Sequence, residues 1–364
     1  MVAPLRQSRV PYAIPYAIPR AECHTLYRSA VDIAVVVNGG MAETLQSTPL
    51  LRTLRAGYPT ARIVLVCPTT AVDLADGIPP VDVVVPLGGL RGRRTGGVHL
   101  WATLRSLRLD SVFLCTSGSA PATAAYFAGI PQRSGVGGGI GLLLTGRVKP
   151  RRSENQAETW LRLAEVAGVH QQLHTPVYEP GPEARRRAVD VLHGSGLGDG
   201  RLLVAIAPGA GYAENPGAAA SETVWDPERW AHLANLLAQR HGAGILLVGS
   251  AHDRLAAEHM KIDLRAAATD LVGEIDLATL AGVIARCDLL VGSDTPLLQL
   301  AAAMDTPTVG LFGPTDGARG GAYGPAHRVV QAIAPPRYED GIMSPATMDQ
   351  IRVEDVLAGI ETTI

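Results

Sequence analysis

Lysine is nearly missing from this chain. Of the 32 basic residues only Lys149 and Lys261 are lysine, and the rest are arginine. Together with the abundant alanine and glycine, that reads as coding bias in a GC-rich genome. Net charge is also lacking, at -2, and only 18% of residues are charged. A nucleic-acid binder or a polybasic membrane binder carries far more positive charge. No apolar run reaches the roughly 18 to 20 residues a membrane helix needs, so no transmembrane segment is expected. Cys23, Cys67, Cys115 and Cys287 are far apart, with no CxxC and no Cys/His cluster. That excludes a zinc site and a disulfide scaffold, and suits reduced thiols in a cytoplasmic protein.

What is present is a high apolar fraction, 47% of 364 residues, which rules out global disorder. The length favours two domains over one core. Residues 1–30 stand apart, with the tandem PYAIPYAIP and four arginines. The prolines forbid a continuous helix, and no signal-peptide core is present. An N-terminal arm, packed or loose, is expected there.

From Asp32 the pattern becomes regular. Strands are expected over 32–38, 61–68, 81–87 and 110–115, with a helix built on Leu45, Leu51 and Leu54 between the first two. A helix is expected over 156–168 and a domain boundary around 175–195. Strands over 201–211, 244–250, 288–294 and 307–313 then alternate with helices over 227–241, 251–267, 277–286 and 296–304. The short DLVG run adds a further apolar segment, and the chain closes on an amphipathic helix. This alternation predicts an α/β fold: two doubly wound parallel sheets facing a cleft. Ligands in such sheets bind at the carboxyl ends of strands, so the residues just after each apolar run matter most.

Three such ends occur in the second half. Gly209, Ala210 and Gly211 let backbone N–H groups approach an anion. The third glycine of a dinucleotide fingerprint is missing, which argues against a nicotinamide enzyme. Asp253 follows the second strand; it is either a helix N-terminal acid or a ribose ligand, and its residue type alone favours the first. Asp294 and Thr295 precede Pro296 and a helix, where capping and phosphate binding are equally good readings. In the first half, Glu43 follows the first strand and reads as a general base or as a helix-capping acid. His99, in a glycine-rich loop, and His252 read as solvated. Arg91, Arg93 and Arg94 read as a solvated loop cluster, and Trp225 and Trp230 as packing residues.

The segments APGAG…VWDPERWAHLANLLAQRHGAGILLVGSAHD, LVGEIDLATLAGVIARCDLLVGSDT and LAAAMDTPTVGLFGPTD come in order, preceded by ETLQSTPLLRTLRAGYPTARIVLVCP. Together they resemble family 9 glycosyltransferases, the heptosyltransferase-like family, over roughly residues 31 to 360. The resemblance implies a GT-B architecture with two Rossmann-like domains. It implies residues 31–185 as the acceptor domain, 186–340 as the nucleotide-sugar donor domain and 341–364 as a C-terminal helix segment. It implies an inverting transfer from a nucleotide-diphosphate sugar, ADP-heptose first, without metal or cofactor.

By position the family's catalytic Asp falls on Glu43, six residues before Pro49, with Ala42 in place of a glycine. Gly209, Ala210, Gly211 and Thr295 fall on phosphate contacts, Asp253 on the acid near the ribose, and Asp294 on the Asp that contacts the donor sugar. Gln299 stands where a His is usual and Thr223 where a Lys is usual. The expected acceptor is a hydroxyl of a glycan or of a secondary metabolite such as an antibiotic. The competing expectations are a catalytically idle nucleotide-binding GT-B protein and, further off, a nicotinamide oxidoreductase.

Overall fold

The structure is a computed structural model that describes residues 31–87, 96–116, 118–137, 141–170, 174–197, 200–209, 224–333, 338–339, 342–343 and 347–364. The expected arm, the arginines at 91, 93 and 94, and Ala210, Gly211 and Thr223 lie outside the described residues.

The first half builds one six-stranded sheet. Its elements are β1 (Asp32–Val37), α1 (Met41–Gln46), α2 (Thr48–Gly57), β2 (Arg62–Pro68), α3 (Val72–Ala75), β3 (Val83–Leu87), α4 (Gly96–Leu107), β4 (Ser111–Cys115), α5 (Ser119–Phe127), β5 (Gln132–Val136), β6 (Gly146–Val148) and α6 (Gln156–Val166). The strand order is β3-β2-β1-β4-β5-β6 and every pairing is parallel. β1 and β2 are continuous β-branched runs buried on both faces, as a sheet covered by helices on both sides requires.

The second half repeats the plan. After α7 (Pro182–Gly194) come β7 (Leu203–Ala207), α8 (Pro227–His241), β8 (Gly244–Leu247), α9 (Arg254–Asp263), β9 (Ala268–Asp270), α10 (Leu277–Ile284), β10 (Leu289–Ser293), α11 (Pro296–Ala303), β11 (Thr308–Phe312), α12 (Gly317–Gly320), β12 (His327–Gln331) and α13 (Val353–Glu361). Its order, β12-β11-β10-β7-β8-β9, is the same topology read from the other end, again all parallel.

Local chemistry sets the helix ends. α8 opens on Asp226, whose carboxylate accepts the Glu228 N–H, with Pro227 in the first turn; it closes on Gly242 at φ 62. Asp276 caps α10 and Thr295 caps α11 in the same way. Trp225 and Trp230 meet edge to face at 4.8 Å, both fully buried, and the Trp225 indole N–H donates to the Ile351 carbonyl. That bond ties the C-terminal segment to the second sheet, and α13 belongs to the same core.

Some expectations need correction. His99 sits exposed on α4 rather than in a loop. The stretch from 251 to 267 is a short 3₁₀ turn followed by α9, which stops at Asp263. The expected boundary between 185 and 186 falls inside α7. That helix packs on α10, with the Arg187 Nε–H donating to Thr279 and Arg187 paired to Asp276. It therefore goes with the second half throughout. The link between the halves runs before Pro182, and Tyr178 pins it. The Tyr178 N–H donates to the Ala303 carbonyl in the second half, and the Glu179 N–H to the Gly77 carbonyl in the first.

Candidate active site

In each sheet the strand order reverses at one point, between β1 and β4 in the first and between β7 and β10 in the second. Chain leaving neighbouring strands in opposite directions opens a crevice there. Glu43 lies just past β1. Gly209 lies just past β7, Asp294 and Thr295 just past β10, and Asp253 past β8, the neighbour of β7. Topology thus delivers the expected residues to two facing sheet edges.

Glu43 sits in the first turn of α1, half-buried. Its side chain turns back over Gly39: a methyl group at Gly39 would lie 2.1 Å from Glu43 Cδ and 2.4 Å from Oε1. Glycine at 39 is what gives the longer acid room. Below it three hydroxyls are buried and satisfied by backbone one turn back. Thr44 Oγ1 donates to the Gly40 carbonyl at 2.8 Å, Ser47 Oγ to Thr44 at 2.7 Å and Thr48 Oγ1 to Leu45 at 2.7 Å. They fix the bend where α1 passes into α2.

α1 also packs on the other half. Leu45 is fully buried in a cluster otherwise built largely from α7, α10, α11 and the second sheet. Gln46 Nε2 donates to the Gly320 carbonyl at 3.4 Å, and Gln299 Nε2 donates to the same oxygen at 2.7 Å. The first turn of α1 is thereby held against α11 and α12.

At the end of β10, Thr295 accepts the Leu297 N–H as N-cap, and Pro296 occupies the first turn. Asp294 is partly buried. Burial pushes its carboxyl above the usual range, and a hydrogen bond with Thr315 works in the opposite direction. Ser293 Oγ and Gln299 Oε1 are buried and have no hydrogen-bond partner among the described residues. Buried oxygens left so cost about 1–3 kcal/mol each. Gln299 itself is 2% exposed, and its amide N–H is committed to Gly320.

Asp253 is 5% exposed. Its Oδ2 accepts both the N–H and the hydroxyl of Ser250 at 2.8 Å, closing a capping box on the short turn before α9. A methyl group at Gly209 would lie 2.0 Å from Asp253 Oδ1, so the Gly209 backbone is laid directly on this carboxylate. The helix-end reading of Asp253 is therefore realised, and the carboxylate faces the loop in which Gly209 stands.

Sequence reasoning missed Gln46, Asn155 and Gly320. Asn155 Nδ2 donates to the Gly321 carbonyl at 2.9 Å, a second tie between the halves. No local pattern marks Gln46 or Asn155, because their partners lie more than 150 positions away. Among the described residues no helix is long and apolar enough to cross a membrane, and no group of His, Cys, Asp and Glu gathers as metal ligands would.

Comparison with known proteins places this architecture. The model of glycosyltransferase family 9 (heptosyltransferase) matches residues 98–343. Lipopolysaccharide heptosyltransferase 2 of Salmonella typhimurium is 29% identical over 76% of this chain and 80% of its own length. Lipooligosaccharide heptosyltransferase 2 of Haemophilus ducreyi is 24% identical over the same shares. Among solved structures, a family 9 glycosyltransferase of Veillonella parvula superposes with a TM-score of 0.74 at 20% identity, over 92% of this chain and 97% of that one. ADP-heptose LPS heptosyltransferase II of E. coli gives 0.68 at 24%, over 92% and 98%. The E. coli heptosyltransferase WaaC, described with ADP-2-deoxy-2-fluoro heptose, gives 0.66 at 19%, over 92% and 100%. The two parallel sheets are those of the GT-B heptosyltransferase structures. With the family model covering more than half of the chain, this protein belongs to glycosyltransferase family 9, the heptosyltransferase family.

Proposed function

We propose that the chain transfers heptose from ADP-heptose to an acceptor hydroxyl with inversion, using Glu43 as general base. The observation that carries this reading is the packing of α1, which bears Glu43, directly against α11, which bears Thr295 at its N-terminus. A base and a diphosphate cradle then share one crevice. Glu43 takes the proton from the acceptor hydroxyl as its oxygen bonds to the anomeric carbon from the face opposite the nucleotide. The bond to the diphosphate breaks, and ADP leaves with the electron pair. The N-terminus of α11 and the backbone at 209–211 meet the charge that develops on it. Pro296 supplies no N–H to that task. Asp294 receives a hydroxyl of the donor sugar, and Asp253 the ribose.

Two features of the expected donor site shape this reading. The Gln299 amide nitrogen is spent on holding Gly320, so the side chain acts on the donor by positioning residue 320 and through its amide oxygen. Thr223 stands in place of a cation, so helix dipoles and arginine carry the charge balance. The names of the curated relatives, which act on lipopolysaccharide and lipooligosaccharide, favour a glycan acceptor over the secondary metabolite or antibiotic also expected. No metal is required in this reading, and the reaction belongs to the cytoplasm, where nucleotide sugars are held.

A thermal-shift screen of ADP-, UDP-, GDP- and dTDP-sugars tests the donor. ADP-heptose is expected to stabilise the chain most, and transfer is expected to survive EDTA. A shift with NAD(H) alone, or transfer that dies in EDTA and revives with magnesium, overturns the reading. Tight donor binding without transfer to any acceptor marks an idle binding protein.

A further inference from the structure

The near-even charge of the whole chain hides a segregation. Residues 83–153 carry ten basic residues and a single acid, Asp110, while the chain as a whole stands at -2. Everything outside this stretch is therefore net acidic. The one acid inside it is engaged, since its Oδ2 accepts the Asp32 N–H at 2.9 Å.

The same stretch exposes its large apolar side chains. α4 and α5 cover one face of the first sheet, with Leu100, Leu104, Ala122 and Ala125 turned into the core. Their outer sides leave an apolar groove of about 460 Å³, lined chiefly by Val98 and Trp101 from α4 and by Ala120, Thr123 and Phe127 from α5. Val98 is 59% and Phe127 64% exposed, on a helix side that is ordinarily polar. The patch continues past the groove. Phe127 meets Tyr126 edge to face at 5.4 Å, and Arg133 lies over the Tyr126 ring at 5.5 Å. The Arg133 Nε–H donates to the Leu143 carbonyl at 2.7 Å, next to Leu142, which is 97% exposed.

Arginines frame this patch. Arg105, one turn after Trp101, lies over the indole at 6.0 Å, and Arg108 follows the end of α4. Val148 packs into the core on the opposite face of the sheet, so strand alternation turns its neighbour Arg147 toward the α5 side. None of Arg105, Arg108, Arg133 and Arg147 is ion-paired among the described residues. The ring contacts give Arg105 and Arg133 a local use, but they do not account for the open apolar side chains between them. Aromatic and aliphatic side chains bordered by cations suit the boundary between anionic headgroups and acyl chains.

We propose that the α4–α5 face docks on an anionic lipid bilayer, with Val98, Trp101, Phe127 and Leu142 entering the headgroup–acyl boundary and Arg105, Arg108, Arg133 and Arg147 meeting lipid phosphates. Charge selects this occupant. A second copy seated on the same patch sets arginine against arginine. Residues 1–30 of the chain carry Arg6, Arg9, Arg20 and Arg28 against one acid, Glu22, and meet the same repulsion. A nucleic acid satisfies the arginines but leaves the groove and Leu142 in water. The docking stands apart from the reading of Glu43 and of the donor residues, none of which belongs to this face.

Of the four tryptophans, Trp160, Trp225 and Trp230 are buried, so Trp101 alone reports on this face. The test is tryptophan emission and co-sedimentation of the full chain with phosphatidylcholine vesicles, with and without phosphatidylglycerol. Anionic vesicles should sediment the chain and shift its emission to the blue, and high salt should release it. Trp101→Phe should still sediment but lose the shift. Arg105→Gln and Arg147→Gln should each weaken binding about fivefold, and Phe127→Ser at least severalfold. These positions are exposed, so melting temperatures should stay parental and certify the fold of each variant. No sedimentation with anionic vesicles, equal binding to neutral ones, or undiminished binding in the variants each overturns the proposal. So does tighter binding of single-stranded RNA than of anionic vesicles, which gives the face to nucleic acid. A solution dimer dissolved by Phe127→Ser gives it to a second copy, and Trp101 shielded from acrylamide without vesicles gives it to residues 1–30; either result also overturns the proposal.

Discussion

Gln46 and Gln299, one from each half of the chain, donate their amide hydrogens to the same Gly320 carbonyl, at 3.4 and 2.7 Å. One backbone oxygen thus ties the helix of the candidate base to the helix of the candidate diphosphate cradle. The two bonds are unequal in length, and both glutamines are buried. Gln299→Leu should lower stability by about 1–1.5 kcal/mol, because it removes the shorter bond and leaves the Gly320 carbonyl only the longer one from Gln46. Gln46→Leu should cost under about 1.5 kcal/mol, the net worth of an ordinary hydrogen bond. Denaturant titration reads both; a larger loss at Gln46 would show that the weaker bond is the one holding the interface.

Glu43→Gln should reduce transfer by about 10²- to 10⁴-fold while ADP affinity stays unchanged, since the shape survives and the basic carboxylate is lost. Single-turnover kinetics with calorimetry on the same samples decide it. Parental turnover would reduce Glu43 to a helix-end acid. Gly39→Ala probes the same group sterically: a methyl there displaces the carboxylate, so kcat should fall with little change in donor KM.

Gly209→Ala should destabilise the second half by about 1–3 kcal/mol, the usual cost of overpacking, because the methyl lands 2.0 Å from Asp253 Oδ1. Asp253→Ala should lose a capping box, about 0.5–2 kcal/mol, and weaken ADP by about 1–3 kcal/mol. Loss of stability with ADP affinity intact would confine Asp253 to its structural task.

Glu154 gives a pH signature. Burial alone would raise its carboxyl, but the Arg151 N–H, the Thr159 hydroxyl and the Arg162 guanidinium outweigh burial and hold it below the usual range. A carboxyl lowered in the folded state adds stability that is present above its unfolded pKa and is lost as pH falls through the folded one. Glu154→Gln should therefore cost about 1–3 kcal/mol at pH 7, and the gap to the parent should close below about pH 4.5, the ordinary range for Glu. A gap that stays constant from pH 7 down through the acid range, with no narrowing below about pH 4.5, would assign the loss to packing.

Much of this was legible in the chain itself. The β-branched runs at 32–38 and 61–68 and the capped helix at 227–241 declare themselves because burial on both faces and helix ends have local signatures. β5 and β6 do not. QRSGV and GRV carry arginine and glycine because β6 is the edge strand and β5 its inner neighbour, both partly open to solvent, where an apolar run is not required. His99 was misplaced because the glycines at 96 and 97, which suggest a loop, open a helix instead. At the site, single residues after strands were readable, since topology alone puts them at the crevice. Gln46 and Asn155 were not, because their partners lie in the other half of the molecule.

The burial of Leu45 in the second half's core makes the position of the base a matter of population. Moving the halves apart bares that side chain, at about 1.5–3 kcal/mol for a leucine, which alone keeps the separated form about 10- to 150-fold rarer. Glu43 stands two residues earlier on the same short helix and is held in place with it. On the proposed reading, a molecule caught open would hold donor without an aligned base, and water reaching the sugar there would find nothing to take its proton; the leucine that assembles the site would then also guard the donor.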